Sequence, residues 1–120
     1  MFKFEELRVY QESIDFVDEV YITIKSWPAD ERFGLTDQFR RASSSIKLNI
    51  AEGSSRSKRD FGRFIDFAKG SCYECIAILT IAQNRNYLSA EQRLSMYNLL
   101  DKIARMLSAL KSSLRITNNE

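Results

Sequence analysis

The chain has 120 residues, 44% of them hydrophobic, with 18 Lys/Arg against 16 Asp/Glu and no histidine. That length and apolar share predict one domain, residues 1–120, with a core that needs no metal or disulfide staple, and they exclude a disordered chain. The missing histidine excludes Ser-His-Asp and Cys-His nucleophile systems, histidine-based zinc sites and histidine general acid–base chemistry.

The net charge of +2 conceals an uneven distribution: residues 1–37 carry 4 basic and 9 acidic side chains, residues 38–69 carry 8 and 3, and residues 70–120 carry 6 and 4. Two readings stand for this pattern. It can steer an anionic partner or pair acidic and basic faces between subunits, or it can be a plain solvated mixed-charge surface. The opening residues turn acidic at once, and no apolar run reaches membrane-spanning length. With only two cysteines, the expectation is a cytoplasmic protein.

Four glycines and one proline leave few chain breakers, which favours long helices. The first helix is predicted over about 5–26, with Leu7, Tyr10, Ile14, Val17, Tyr21 and Ile24 as its main apolar stripe and Val9, Phe16 and Val20 off it. Glu5 and Glu6 are placed in its first turn, where they suit the helix dipole. Trp27-Pro28 ends it, because proline cannot continue the ladder, and Trp27 and Phe33 are expected to cover the end of the bundle.

The second helix is predicted over about 35–52 along Leu35, Phe39, Ala42, Ile46 and Asn49/Ile50, with Gly53 as a left-handed C-cap. The third, about 57–86, opens at a capping box, Ser57-x-x-Asp60, and follows Phe61, Ile65, Ala68, Cys72, Cys75, Leu79 and Ala82. A second stripe of Phe64, Phe67, Ile78 and Ile81 implies burial on two sides. Gly70 in mid-helix costs about 1 kcal/mol of propensity, offset by close helix contact. The fourth helix, about 89–115, opens at Ser89-x-x-Gln92 and runs through Met96, Leu100, Ile103, Leu107, Leu110 and Leu114, with Thr117–Glu120 frayed. Four helices with short links predict an all-α, antiparallel, up-down-up-down bundle.

No P-loop or dinucleotide fingerprint occurs, and no cofactor, metal or enzymatic activity is expected. Cys72-Tyr73-Glu74-Cys75 matches C-x-x-C, yet it falls mid-helix on an apolar stripe and reads as core. Glu52 and Glu74 lie near apolar stripes and read as salt-bridge or hydrogen-bond partners of Arg40, Arg41 or a neighbouring subunit. The basic set Arg40, Arg41, Lys47, Arg56, Lys58, Arg59, Arg63 and Lys69 is the leading functional signal, since clustered cations neutralise phosphates. Of these, Arg40, Lys47, Arg56, Lys58, Arg59 and Arg63 are the candidate RNA- or DNA-contacting residues.

Three runs carry a family resemblance: Glu6-Leu7-Arg8-Val9-Tyr10-Gln11; Gln38-x-x-Arg41-Ala42-x-x-Ser45-Ile46-x-x-Asn49-Ile50-Ala51-Glu52-Gly53; and Phe61-x-x-Phe64 with Ala68-x-Gly70-Ser71-x-x-Glu74. Together they resemble the four-helix-bundle proteins of the 23S rRNA intervening-sequence family, related to the accessory variability determinant of diversity-generating retroelements. The resemblance implies a non-catalytic bundle that assembles as a ring-like homopentamer. It also implies nucleic-acid binding by the retroelement members, whose net charge is higher than here. It assigns Arg41, Asn49, Glu52 and Glu74 to fixing the fold or the subunit contacts. The alternative is a protein-binding scaffold or accessory subunit that binds no nucleic acid.

Overall fold

The computed structural model describes residues 1–114, and within them every regular element is helical. The four helices are α1 (Arg8–Ile24), α2 (Leu35–Gly53), α3 (Lys58–Asn84) and α4 (Ala90–Ser113), with short 3₁₀ turns at Lys3–Glu6 and Ala29–Glu31. Helix packing runs α1 to α2, α2 to α3, α3 to α4 and α4 back to α1, so the helices form a square with α1 diagonal to α3. The result is the antiparallel up-down-up-down bundle expected, a rod of 50 × 22 × 22 Å. The expected end of the fourth helix near Arg115 and the fraying after Thr117 fall outside the described residues.

The core is built from one stripe per helix. On α2 it is Leu35, Phe39, Ala42, Ile46 and Ile50; on α3, Ile65, Ala68, Cys72, Cys75, Leu79 and Ala82; on α4, Met96, Leu100, Ile103 and Leu107. These match the predicted stripes. On α1 the buried face is rotated from the predicted stripe: of that stripe Val17 is buried, and Leu7, Tyr10 and Ile24 pack partly buried at the core margin. The buried residues are Val9, Ser13, Phe16, Val17 and Val20, while Tyr21 of the predicted stripe is exposed. The core stripe was hidden by its polar member, Ser13. Its hydroxyl donates to the Val9 carbonyl at 2.7 Å, which satisfies it inside the helix and lets a serine occupy an apolar face.

Helix ends differ from expectation at three places. The α-helix proper starts at Arg8, after an extended Leu7 (φ −70°, ψ 128°) whose side chain packs on the core. Glu5 therefore serves the preceding 3₁₀ turn, accepting the Phe2 N–H at 2.9 Å, and α1 has no acid in its first turn. Gly53 is not a left-handed cap, since no glycine of the described residues has positive φ. It is the buried last residue of α2, and the carbonyls there are met by Ser54 and Ser55 hydroxyls donating to Ala51 and Glu52, each at 2.7 Å. The left-handed residue is Asn86 (φ 64°). The Tyr87 N–H reaches the Ala82 carbonyl at 2.8 Å and the Asn86 N–H reaches Gln83 at 2.9 Å, a Schellman closure of α3. The Ser89–Gln92 capping box is reciprocal, at 3.0 and 2.8 Å, whereas the one predicted at Ser57-x-x-Asp60 has only its first arm, the Asp60 N–H donating to the Ser57 hydroxyl at 3.2 Å.

At the end where α1 meets α2, Trp27 is buried and stacks on Phe39 with centroids 5.5 Å apart. Phe33 does not join it: it is 88% exposed, with the Arg32 guanidinium 5.4 Å above its ring. The inward role falls instead to Tyr87, 5.8 Å from Trp27. Its hydroxyl donates to Glu31 at 2.9 Å, and the other Glu31 oxygen accepts the Leu35 N–H at 3.2 Å.

Those bonds couple stability to pH. The Leu35 N–H first, then the Tyr87 hydroxyl, hold the Glu31 carboxyl below its ordinary 4.5. The stabilisation is therefore complete above about pH 4.5 and is lost as pH falls through the lower folded value. The Tyr87 phenol is raised, chiefly by the same bond to Glu31, so its share is present below pH 10 and lost as pH rises beyond it. In thermal melts, Glu31→Gln should lower the Tm at pH 7, and the difference should shrink as pH falls below 4.5 through the lowered Glu31 value. A pH-independent difference would show that the Glu31 charge contributes nothing.

Candidate functional site

The polar residues that carry the resemblance do not lie between helices in the core. On α2, Gln38, Arg41, Ser45, Asn49 and Glu52 recur at spacings of 3, 4, 4 and 3, one step round the helix from the buried Ala42, Ile46, Ile50 and Gly53. This periodicity places them along the outer seam where α2 meets α3. Ser45 meets α3 directly: the Ser71 hydroxyl donates to the Ser45 hydroxyl at 3.0 Å. An open groove of about 600 Å³ follows the seam, lined by Gln38, Arg41, Ala42, Ser45, Ser71 and Glu74. A second, of about 500 Å³, shares Arg41 and Ser45 and crosses the outer face of α2 past Ser44, Leu48, Asn49 and Glu52 to Tyr21 of α1.

The seam's charges pair only within their own helix or its adjoining turn, or, at Glu74, not at all among the described residues. Arg41 has a 79% exposed side chain and approaches Asp37 only at 3.6 Å. Glu74 forms no ion pair among the described residues, although it lines the same groove as Arg41. Glu52 pairs with Arg56 at 3.2 Å rather than with Arg40 or Arg41. Asn49 donates to the Ser45 carbonyl at 2.8 Å, a bond within its own helix. None of these four polar side chains closes a buried network in one chain.

The basic candidates are not one cluster. Arg56, Lys58, Arg59 and Arg63 gather at the α2–α3 turn. Lys47 lies about 9 Å along α2 from its end at Gly53, and Arg40 about 20 Å, taking 1.5 Å per residue. Arg40 is also neutralised by Asp37 at 2.6 Å. At the turn, Arg63 reaches Asp60 at 3.6 Å, and the Arg56 guanidinium lies 5.3 Å over the Phe64 ring. Lys58 and Arg59 are exposed and have no ion-pair partner among the described residues. They occupy the first two positions of α3, where the positive end of the helix dipole disfavours cations.

The cysteines carry no chemistry here. Both are free and fully buried on the α3 core stripe. Burial pushes the Cys72 thiol up to about 12, and burial with its neighbours Cys72 and Glu74 pushes Cys75 higher still. A protonated, inaccessible thiol is neither a nucleophile nor a ready metal ligand. Among the described residues no three Cys, Asp or Glu side chains converge on a point that could hold a metal ion. No helix of the described residues is long and apolar enough to cross a membrane.

The apolar stripes gave no role to Gln38, Ser45, Leu48 and Ser71, and the second α3 stripe, expected to be buried, is so only at Ile78, with Phe67 and Ile81 exposed in the single chain. A second pass for polar periodicity on α2 finds Gln38 and Ser45. Leu48 and Phe67, 60% and 52% exposed, carry no such signal, because exposure of an apolar residue depends on where the neighbouring helices sit.

Fold and seam together define a small antiparallel helical bundle with a polar, partly apolar outer face and no assembled catalytic centre among the described residues. The chain belongs to the family of 23S rRNA-intervening sequence proteins, whose model matches residues 5–109. The fold is also that of a Bacteroides thetaiotaomicron protein of unknown function from the S23 ribosomal protein family. The two are 24% identical with a TM-score of 0.79, over 86% of this chain and 97% of that one. No curated protein matches.

Proposed function

We propose that this chain is a non-catalytic helical assembly protein, a homo-oligomer and by family resemblance a pentamer, that offers the basic end of its bundle to RNA or DNA. The observation that carries the nucleic-acid reading is the gathering of Arg56, Lys58, Arg59 and Arg63 at the α2–α3 turn, with Lys58 and Arg59 unneutralised at a helix start. Cations held there face an unfavourable dipole, which a bound phosphate backbone reverses. The free, buried thiols support a reducing, cytoplasmic setting.

Binding of this kind is sequence-tolerant and salt-dependent. Fluorescence anisotropy with random-sequence RNA and DNA should show affinity falling steeply with salt. In an Arg56→Glu/Lys58→Glu/Arg59→Glu variant, the slope of log K against log salt should drop by roughly one for each phosphate that is no longer neutralised. If binding is flat at low salt, or unchanged in that variant, the second reading takes over. That reading is a protein-binding scaffold without nucleic acid, and the modest net charge of +2 favours it.

A further inference from the structure

We infer that the α2–α3 seam is a docking surface for a second copy of this chain, and that the element it receives is the outward face of α1. The inference rests on the reading that the chain self-associates, and it assigns the face and the contacting element. The seam presents Arg41, and α3 carries Arg63 near its start, with side chains 79% and 69% exposed; each has only a 3.6 Å pair with an aspartate of its own helix. The apolar side chains Leu48, Phe67 and Ile81 stand exposed on the same two helices.

The complement is on the chain itself. Gln11, Asp15, Asp18 and Ile22 recur at 4-3-4 spacing on α1, and all four are exposed. Asp15 and Asp18, with the adjoining Glu19, have no ion-pair partner among the described residues. Ile22 is 68% exposed. One face thus pairs unpartnered acids with an exposed isoleucine, and the other pairs exposed arginines with exposed leucine and phenylalanine. Because α1 is diagonal to α3, the two faces point away from each other within one molecule. They cannot satisfy each other in one chain, and a head-to-tail contact between copies brings them together, the heterologous arrangement that generates rings.

Gly70 fits this reading. It is exposed in the middle of α3, and an added Cβ there would meet nothing within 4 Å. The close helix contact expected to offset its helix penalty is absent from the single chain. An incoming helix supplies it. Ser71 next to it and Ser45 across the seam, joined at 3.0 Å, keep the seam shallow enough for such an approach.

The test is light-scattering mass on the full chain. The wild type should run as a multiple of the 14.0 kDa chain. Gly70→Leu should retain full helicity by circular dichroism, because its site is open in the single chain, yet fall to the single-chain mass. Leu48→Asp reads the same face from α2 and should do likewise. Asp15→Lys/Asp18→Lys should also dissociate, at least tenfold in the association constant, and adding Arg41→Glu should recover part of the loss. A folded Gly70→Leu or Leu48→Asp variant with wild-type mass overturns the assignment of the seam. Dissociation by the seam variants but not by Asp15→Lys/Asp18→Lys overturns the assignment of α1. A wild type that is monomeric at all concentrations overturns the self-association reading itself.

Discussion

Phe39→Ala should cost about 3–5 kcal/mol, the usual range for removing a fully buried phenylalanine. The ring has no exposed surface. It stacks on Trp27 at 5.5 Å and meets Phe16 edge-on at 6.2 Å, so its loss opens a cavity and also removes aromatic pairings that add about 0.5–1.5 kcal/mol each. Trp27 covers the end where α1 turns into α2, and its aromatic support is the stacked Phe39 and the tilted Tyr87. Set against a total stability of about 5–15 kcal/mol for a domain, the change removes a large fraction of what holds the chain folded. Urea unfolding should show the midpoint collapse, and the Tm should fall by roughly 10–20 °C. Phe39→Leu, which keeps most of the volume, should cost about half as much or less. A Phe39→Ala variant within about 1 kcal/mol of wild type would mean that this aromatic cluster is not the anchor of the bundle end.

Gly53→Ala should also destabilise, against the direction that helix propensity gives. On an open helical site alanine is better than glycine by about 1 kcal/mol. Here the added Cβ would stand 2.5 Å from Phe64 Cβ and 3.0 Å from Phe61 Cδ1. Phe64 Cβ is fixed to the α3 backbone, so no rotamer change relieves the clash, and α2 and α3 must move apart beside their connecting turn. Overpacking of this kind costs about 1–3 kcal/mol. The movement would also disturb the Arg56 guanidinium, which sits over the Phe64 ring. Thermal melts of Gly53→Ala decide the matter by sign: a gain in stability would show that the two helices separate freely there.

The two glycines show what reading the chain alone can and cannot reach. Local sequence sets Gly53 at a helix end and Gly70 in mid-helix, and shows for neither what packs against it. Gly53 does end its helix, but as a right-handed packing residue and not as a left-handed cap. Gly70 looked like a packing residue and faces open space in the single chain. The α1 stripe makes the same point: Leu7, Tyr10, Ile14, Val17, Tyr21 and Ile24 formed the better apolar series on paper. The neighbouring helices cover most fully the stripe through Val9, Ser13, Phe16, Val17 and Val20, of which only Val17 belongs to that series; Leu7, Tyr10 and Ile24 pack at its margin and Tyr21 is exposed.

Linear order alone carries the four helices, the caps at Ser57 and Ser89, the break at Trp27-Pro28, the core stripes of α2, α3 and α4, and the family. These are properties of local spacing and of side chains meeting their own backbone, which linear order contains. Tertiary structure decided which side of α1 is buried, why Gly53 is glycine, that Phe33 is exposed, and that Arg41, Asn49, Glu52 and Glu74 lie along an outer seam rather than in the core. Each depends on the rotation of one helix against its neighbours, a quantity set by how the whole bundle packs and written in no single segment.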